Sequence, residues 1–475
     1  MLPYRVPRPQ RITPTPKSAL PSLRLLVAPP PSALHQLALQ FQLEQSQWWP
    51  AEHMESRQLN QIQAVLAHAA AHVPYYAERF AQAGIAIPDR IDAAFFRRIP
   101  ISTRADLQAA GDKLFAKSLP AGHGKVAFKT TSGSTGRPLR IAQTQASDAI
   151  WRAHTVRDHL WHGRDFSGKL GAIRFVPSPT EALGPKGVQG PNWGRAVSEL
   201  YETGPTTLLN TLTPLPAQME WLVREKPDVL ISFPSCLAAL ARHAALTGVA
   251  LPPLRELRTV GEKLTPETRA FLSQAWKAKV TDIYSCEEIG YLALQCPEHD
   301  HLHVQSECVR LEILDEAGEP CEPGRRGRVV VTSLANFAMP FIRYELGDIA
   351  EFGPPCPCGR GLPVLREVHG RTRSRLLLPD GTDKMPRLGE LRIGETFGPS
   401  HGLRQMKCIQ HSLTKLELMV VAEKSFTDTD RARLTQILLE HIGHPFEVEL
   451  TFLPEIPRGP TGKLESFECR IQTGA

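Results

Sequence analysis

No run of apolar residues in this 475-residue chain reaches the 18 or so that a bilayer-spanning helix needs, which excludes a helical membrane protein. Acidic residues are absent from the first 43 positions, where Arg5, Arg8, Arg11, Lys17 and Arg24 carry five of the net +6 charges. The remainder is close to neutral. A neutral body lacks the basic face that phosphate backbones demand, so nucleic acid is not the expected partner. An even set of cysteines is also missing: there are nine, in a long chain. That argues against a disulfide scaffold and for a reducing, cytoplasmic location. No internal repeat occurs, and no G-x-x-x-x-G-K-[ST] phosphate loop. What remains is ordinary globular composition, 42% hydrophobic and 22% charged, which excludes a wholly disordered or fibrous chain. At about 150 residues per domain the length implies two to four domains.

Residues 1–34 contain nine prolines, ending in Pro29-Pro30-Pro31, and read as an extended, disordered basic arm. The arm lacks the continuous apolar segment and small-residue cleavage site of a signal peptide. From about 35 to 85 the pattern is helical, with Leu59, Ile62, Val65 and Leu66 at helical spacing until Val73-Pro74-Tyr75-Tyr76 breaks it. Residues 86–120 read as loop plus a short helix started by Ser102-Thr103, with Asp106 in its first turn. Residues 125–145 read as strand, glycine-rich loop and strand. The helix that follows, 146–162, offers Trp151, His154 and Leu160 to the core. Between 165 and 335, strands at Val229–Phe233, Val280–Tyr284 and Val329–Thr332 alternate with helices such as Pro234–Thr247 and Pro266–Lys277. That alternation predicts an α/β body with a mainly parallel sheet. The last hundred residues form a separate β-α-β unit, with strands Leu416–Val421 and Phe446–Phe452 around helix Asp428–Ile442, after a boundary near Gly370-Arg371.

Five segments carry chemistry. Thr130-Thr131-Ser132-Gly133-Ser134-Thr135-Gly136-Arg137-Pro138 packs five hydroxyls and two glycines into residues 130–136. Glycine lets backbone N–H groups approach a phosphate and the hydroxyls add donors, although a Ser/Gly linker has the same composition. Tyr284-Ser285-Cys286-Glu287-Glu288-Ile289-Gly290 follows a predicted strand. Ligands collect at the carboxyl ends of such strands, and a carboxylate there can hold Mg²⁺ on nucleotide phosphates. Arg343-Tyr344-Glu345-Leu346-Gly347-Asp348 places an aspartate after a tight turn, where it can accept from both ribose hydroxyls. Gly370-Arg371-Thr372-Arg373 marks the boundary. Pro457-Arg458-Gly459-Pro460-Thr461-Gly462-Lys463 presents one lysine, for which plain solvation is the alternative. Separately, Cys296 is followed by His299, His301 and His303, and about fifty residues later by Cys356-Pro357-Cys358. Three thiols and a choice of histidines suit a closed tetrahedral Zn²⁺ site.

The order of the five segments resembles that of the adenylate-forming superfamily. The chain is most similar to the phenylacetate–CoA ligase branch, with its capsule-biosynthesis and coenzyme F390 synthetase-like members, over roughly residues 50–470. The resemblance includes the Ala67–Tyr76 segment and Ala338-Met339-Pro340-Phe341-Ile342-Arg343-Tyr344. It implies an α/β fold: a large multi-layer N-terminal adenylation domain, residues 35–370, and a small mobile α+β C-terminal lid domain, residues 371–475. It implies an enzyme that activates a carboxylic acid with ATP and Mg²⁺, releases pyrophosphate and transfers the acyl group to a thiol. CoA is the expected acceptor. A carrier-protein thiol, an amine or a hydroxyl is the alternative, and a non-catalytic binding protein the third. The acid would be aryl or otherwise hydrophobic, with Trp151, Phe233, Tyr291 and Leu292 as candidate pocket residues. By the same resemblance Thr131, Ser132, Gly133, Ser134, Thr135 and Gly136 wrap the phosphates. Gly261, Glu262, Lys263 and Tyr284 flank the adenine, Glu288 holds Mg²⁺, Asp348 and Arg371 bind the ribose, and Lys463 bridges the carboxylate and the α-phosphate. Glu287 stands at an α-phosphate contact where relatives usually have Ser or Thr, and Arg373 near the usual hinge aspartate. Relatives' spacing of Cys to His matches Cys296 to His303, which with Cys356 and Cys358 would be the zinc ligands, His299 and His301 being the competing fourth ligands. Relatives are often dimers, which implies a homodimer.

Overall fold

The computed structural model describes residues 14–20, 22, 27–130, 139–176, 184–371, 376–384, 386, 396–397, 401–403, 405–457, 459, 463 and 467–471. The chain opens with helices α1 (Pro31–Ser46), α2 (Ala51–His72), α3 (Pro74–Gln82), α4 (Ala93–Arg97) and α5 (Arg104–Ala110). A hairpin of β1 (Val126–Thr130) and β2 (Arg140–Thr144) leads into α6 (Gln145–Trp161). Then come β3 (Leu170–Arg174), β4 (Val188–Gly190), α7 (Arg195–Ser198), β5 (Thr206–Asn210), α8 (Leu215–Glu225), β6 (Val229–Ser232), α9 (Pro234–Thr247), β7 (Glu256–Val260), α10 (Pro266–Trp276) and β8 (Lys279–Cys286). Six strands follow with no α-helix among the described residues: β9 (Gly290–Gln295), β10 (Leu302–Val304), β11 (Val309–Leu314), β12 (Arg326–Ser333), β13 (Tyr344–Phe352) and β14 (Val364–Arg371). The C-terminal part holds β15 (Leu376–Leu377), β16 (Asp383–Lys384), β17 (Gln405–Gln410), β18 (Lys415–Val421), α11 (Asp428–Ile442), β19 (Glu447–Phe452) and β20 (Phe467–Cys469).

Local signals set these boundaries. Thr103, Thr144 and Thr427 each close a reciprocal cap with the residue three positions on, starting α5, α6 and α11. Pro74 cannot continue α2, so Val73 turns extended and α3 starts afresh on the proline. α1 begins at Pro31, so the last residues of the 1–34 segment are helical.

The described strands form a twelve-stranded sheet in the order β11-β12-β13-β14-β10-β9-β8-β7-β6-β3-β5-β4, together with small sheets, the largest being β19-β18-β17-β20. The expectation of a mainly parallel sheet needs correcting. Only β5, β3, β6, β7 and β8 run parallel to one another; β4 is antiparallel to β5 at one edge, and every pairing from β8 through β9, β10, β14, β13 and β12 to β11 is antiparallel. The reason is connectivity. A parallel pair needs a crossover helix, and after Cys286 the links between strands are turns and loops. In the C-terminal sheet β18 and β19 are parallel, as a β-α-β unit through α11 requires.

Helices cover the parallel half with Leu222, Leu237, Leu240 and Leu272 over Leu230 and Leu257 of the sheet. α6 buries Ala149, Ala153, His154 and Val156. Of the three residues expected on its buried face, Leu160 is half-buried and Trp151 is 42% exposed, because the indole lies outward over Gly290. A buried clamp ties α1 to this layer: Arg157 donates to the Leu43 carbonyl at 2.6 Å and to Glu307 at 2.8 Å. Burial alone would raise the Glu307 carboxyl, but Arg157 wins and holds it down at about 2. A carboxylate depressed in the folded state stabilises above its unfolded value, near 4.5, and loses that contribution as the pH falls toward 2. Glu307→Gln is therefore expected to cost about 3 kcal/mol at pH 7, where Arg157 is left buried and unpaired. In thermal melts the gap to the parent protein narrows progressively below pH 4.5; a pH-independent gap contradicts this account.

Candidate active site and metal-ligating cluster

The candidate residues meet where β6, β7 and β8 end. Val260 and Ile283 face each other in register, so Gly261 and Tyr284, the next residues of β7 and β8, are neighbours about one strand spacing apart. The Tyr284 hydroxyl donates to Asp348 Oδ2 at 2.7 Å. Asp348 lies on β13 opposite Arg371 on β14, which brings two segments 64 and 87 positions downstream of Tyr284 to the same rim. Gly261 has φ +79°, and a Cβ there would come within 3.0 Å of the Phe233 ring and 3.4 Å of Lys463 Nζ. A side chain is excluded twice over, by conformation and by space. Lys463 arrives from near the C-terminus, the Gly459 N–H donating to its carbonyl at 3.0 Å, and its ammonium lies 5.8 Å from the centre of the Phe233 ring.

Glu262 accepts from the Ser235 N–H at 3.1 Å and hydroxyl at 3.0 Å, which fixes this loop to the start of α9. Lys263 pairs with Glu367 of β14 at 3.0 Å. Glu288 is buried and receives Arg104 Nη1 at 3.0 Å. Arg104 is the first residue of α5, and its position rests on the Thr103 cap. Glu287 points outward and pairs with Lys129 at 3.5 Å, on the strand that leads into residue 131. Thr131, Ser132, Gly133, Ser134, Thr135, Gly136 and Arg373 lie outside the described residues. Burial pushes the Cys286 thiol far up, with Glu288 adding to it.

Sequence reasoning overlooked Arg104, Ser235 and Lys129. Nothing local marks them: Arg104 is 184 positions from its partner Glu288. Of the candidate acyl-pocket residues, Leu292 is wholly buried in the core, whereas Trp151 and Tyr291 stack beside Glu288 and Phe233 touches Gly261.

A second constellation stands apart. Cys296, His303, Cys356 and Cys358 are all buried, with ligand atoms within 4.8 Å of one another. The His303 ring is oriented by Nδ1 at 3.2 Å from the Leu362 carbonyl, which turns Nε2 toward Cys358 Sγ, its hydrogen-bond partner at 3.4 Å. That is how a metal-ligating imidazole is usually held. Three thiols and one imidazole fit a closed Zn²⁺ site, and the geometry favours His303 over His299 and His301, which lie outside the cluster. None of the nine cysteines is in a disulfide. No described helix is long and apolar enough to cross a membrane.

Residues 203–339 match the model of the AMP-binding enzyme family. An uncharacterised acyl–CoA ligase of Bacillus subtilis is 29% identical over 215 residues, 44% of this chain and 41% of that protein. The phenylacetate–coenzyme A ligase of Pseudomonas putida is 26% identical over 333 residues, 68% of this chain and 72% of that protein. The crystal structure of a 2-hydroxyisobutyryl-CoA ligase in its postadenylation state shares the fold, with a TM-score of 0.70 at 21% identity, covering 89% of this chain and 91% of that one. By these matches the chain is similar to the adenylate-forming superfamily of enzymes, and within it to the phenylacetate–CoA ligase-like branch.

Proposed function

We propose that this protein is an AMP-forming acid–thiol ligase that joins a carboxylic acid to AMP and then passes the acyl group to CoA. The observation that carries the reading is Lys463: an ammonium from near the C-terminus sits against Gly261, at the mouth of the crevice shared by Tyr284 and Asp348. In the first step a carboxylate oxygen attacks the α-phosphorus of ATP, and the bond to pyrophosphate breaks with its electron pair. Two anions must approach. Lys463 offsets their repulsion and the charge that builds on the α-phosphate. Asp348 and Arg371 receive the ribose hydroxyls, while Gly261, Glu262 and Tyr284 border the adenine. Residues 131–136 embrace the phosphates. Glu288 has the hard-oxygen chemistry to hold Mg²⁺, which when bound screens the phosphate charge. In the second step the CoA sulfur attacks the acyl carbon and AMP departs. Lys463 must withdraw first, a movement of the C-terminal domain beyond Arg371.

The acid is a hydrophobic one, aryl or similar, bounded by Trp151, Tyr291 and Phe233. Cys296, His303, Cys356 and Cys358 hold a structural Zn²⁺. The test of the reaction is ATP–pyrophosphate exchange across a panel of carboxylic acids, followed by AMP release with and without CoA. Exchange that depends on one class of acid, with AMP release accelerated by CoA, is the expected result. Exchange without acceleration by CoA refutes CoA as the acceptor, and no exchange with any acid refutes the ligase.

A further inference from the structure

Behind Glu288, between α6 and the turn joining β8 to β9, lies a cavity of about 20 Å³, room for roughly one water. Its walls include His154, Gln143, Asn336, Glu288, Trp151 and Tyr291. Trp151 forms the outer wall: its indole stacks on Tyr291, with centroids 5.8 Å apart and planes 7° apart, and rests on Gly290, where a Cβ would come within 2.9 Å.

One wall atom has no partner. His154 is 1% exposed, and its Nδ1 lies 2.8 Å from the Ile150 carbonyl one helical turn back. That contact makes Nδ1 the donor, so Nε2, on the far edge of the ring, is an acceptor. Nε2 is buried with no hydrogen-bond partner among the described residues. Burial, with Arg157 nearby, holds the imidazole down at about 4, so at neutral pH the ring is uncharged and Nε2 can only accept. Asn336 does not serve it: its amide nitrogen is turned to the Ala142 carbonyl, its amide oxygen accepts from the Ala338 N–H, and no hydrogen bond joins it to Nε2. A buried acceptor left bare is costly, and one on a residue that lines a cavity points to an occupant.

We infer that this recess is a subsite for a single hydrogen-bond donor of hydroxyl or water size, received by His154 Nε2 behind Glu288. Two sources share that chemistry: a hydroxyl on the acid substrate, or a bound water that steadies Glu288. The inference rests on the ligase reading above for its functional consequence, but the subsite itself is independent of it.

The experiment compares the parent protein with His154→Leu, which removes the acceptor, and His154→Gln, which keeps one. Pyrophosphate exchange is measured with pairs of acids that differ by one hydroxyl, over a titration of Mg²⁺. If the acid supplies the donor, the parent favours the hydroxylated member by about tenfold or more in kcat/KM, His154→Leu erases the preference and His154→Gln retains most of it. If water supplies it, the parent shows no preference within pairs, and His154→Leu raises the Mg²⁺ half-saturation about tenfold for every acid, with rescue by His154→Gln. A His154→Leu protein that matches the parent in both readouts overturns the inference. Should that variant fail to fold, a crystal structure of the parent protein decides: an ordered atom within hydrogen-bond distance of Nε2 supports the subsite, and an empty recess overturns it. An absence of exchange with every acid defeats the ligase reading instead, and the crystal structure still rules on the recess.

Discussion

Lys463→Ala is expected to lower acid-dependent ATP–pyrophosphate exchange by about 10²–10³-fold, the typical cost of removing one preorganised charge from a developing oxyanion. The lysine acts in the first half-reaction only. With chemically prepared acyl-adenylate and CoA, the same variant should form thioester at close to the parent rate. That split between half-reactions separates a charge role from general damage, because a misfolded protein would lose both. The structural basis is the close approach of Lys463 Nζ to Gly261, 3.4 Å from where a Cβ would stand. Exchange at the parent rate in Lys463→Ala contradicts the assignment.

Cys358→Ser is expected to reduce bound zinc from about one equivalent to well below it, measured by elemental analysis of the purified protein. The loss should register in stability more than in chemistry, because the cluster is buried and includes neither Glu288 nor Lys463. It joins the end of β9 and the start of β10 to the turn before β14, so losing the metal unties three segments of the large sheet. A structural zinc ion contributes folding free energy directly, and melting temperature should fall by several degrees. Prolonged chelation of the parent protein should give the same shift. A parent protein that binds no zinc, or a serine variant that melts with the parent, contradicts the site.

Some of this structure was plain in the sequence because its causes are local. Helix Pro234–Thr247 has both bounds written in, a proline at the first turn and Gly248 in the left-handed conformation after the last. Asp428–Ile442 is bounded likewise by Thr427 and Gly443. The direction of the strands after Cys286 was misread, because alternating apolar residues give strand but not orientation. Orientation follows from what links the strands, and β12, β13 and β14 are joined by turns and loops whose residues resemble those elsewhere. The site was half legible. Tyr284, Glu288, Asp348 and Lys463 stand out by motif, whereas Arg104 against Glu288 and the bare Nε2 of His154 arise from packing between distant segments. No window of sequence contains them.

The position of β14 between β13 and β10 bears on how the chain is made. Residues Cys296 and His303 leave the ribosome well before Cys356, Cys358 and the strand that follows them. During that interval β10 has β9 on one side and an open edge on the other, which only β14 can close. Nascent chains stalled in this window would present an unpaired edge and two solitary metal ligands, the moment at which chaperone protection matters most.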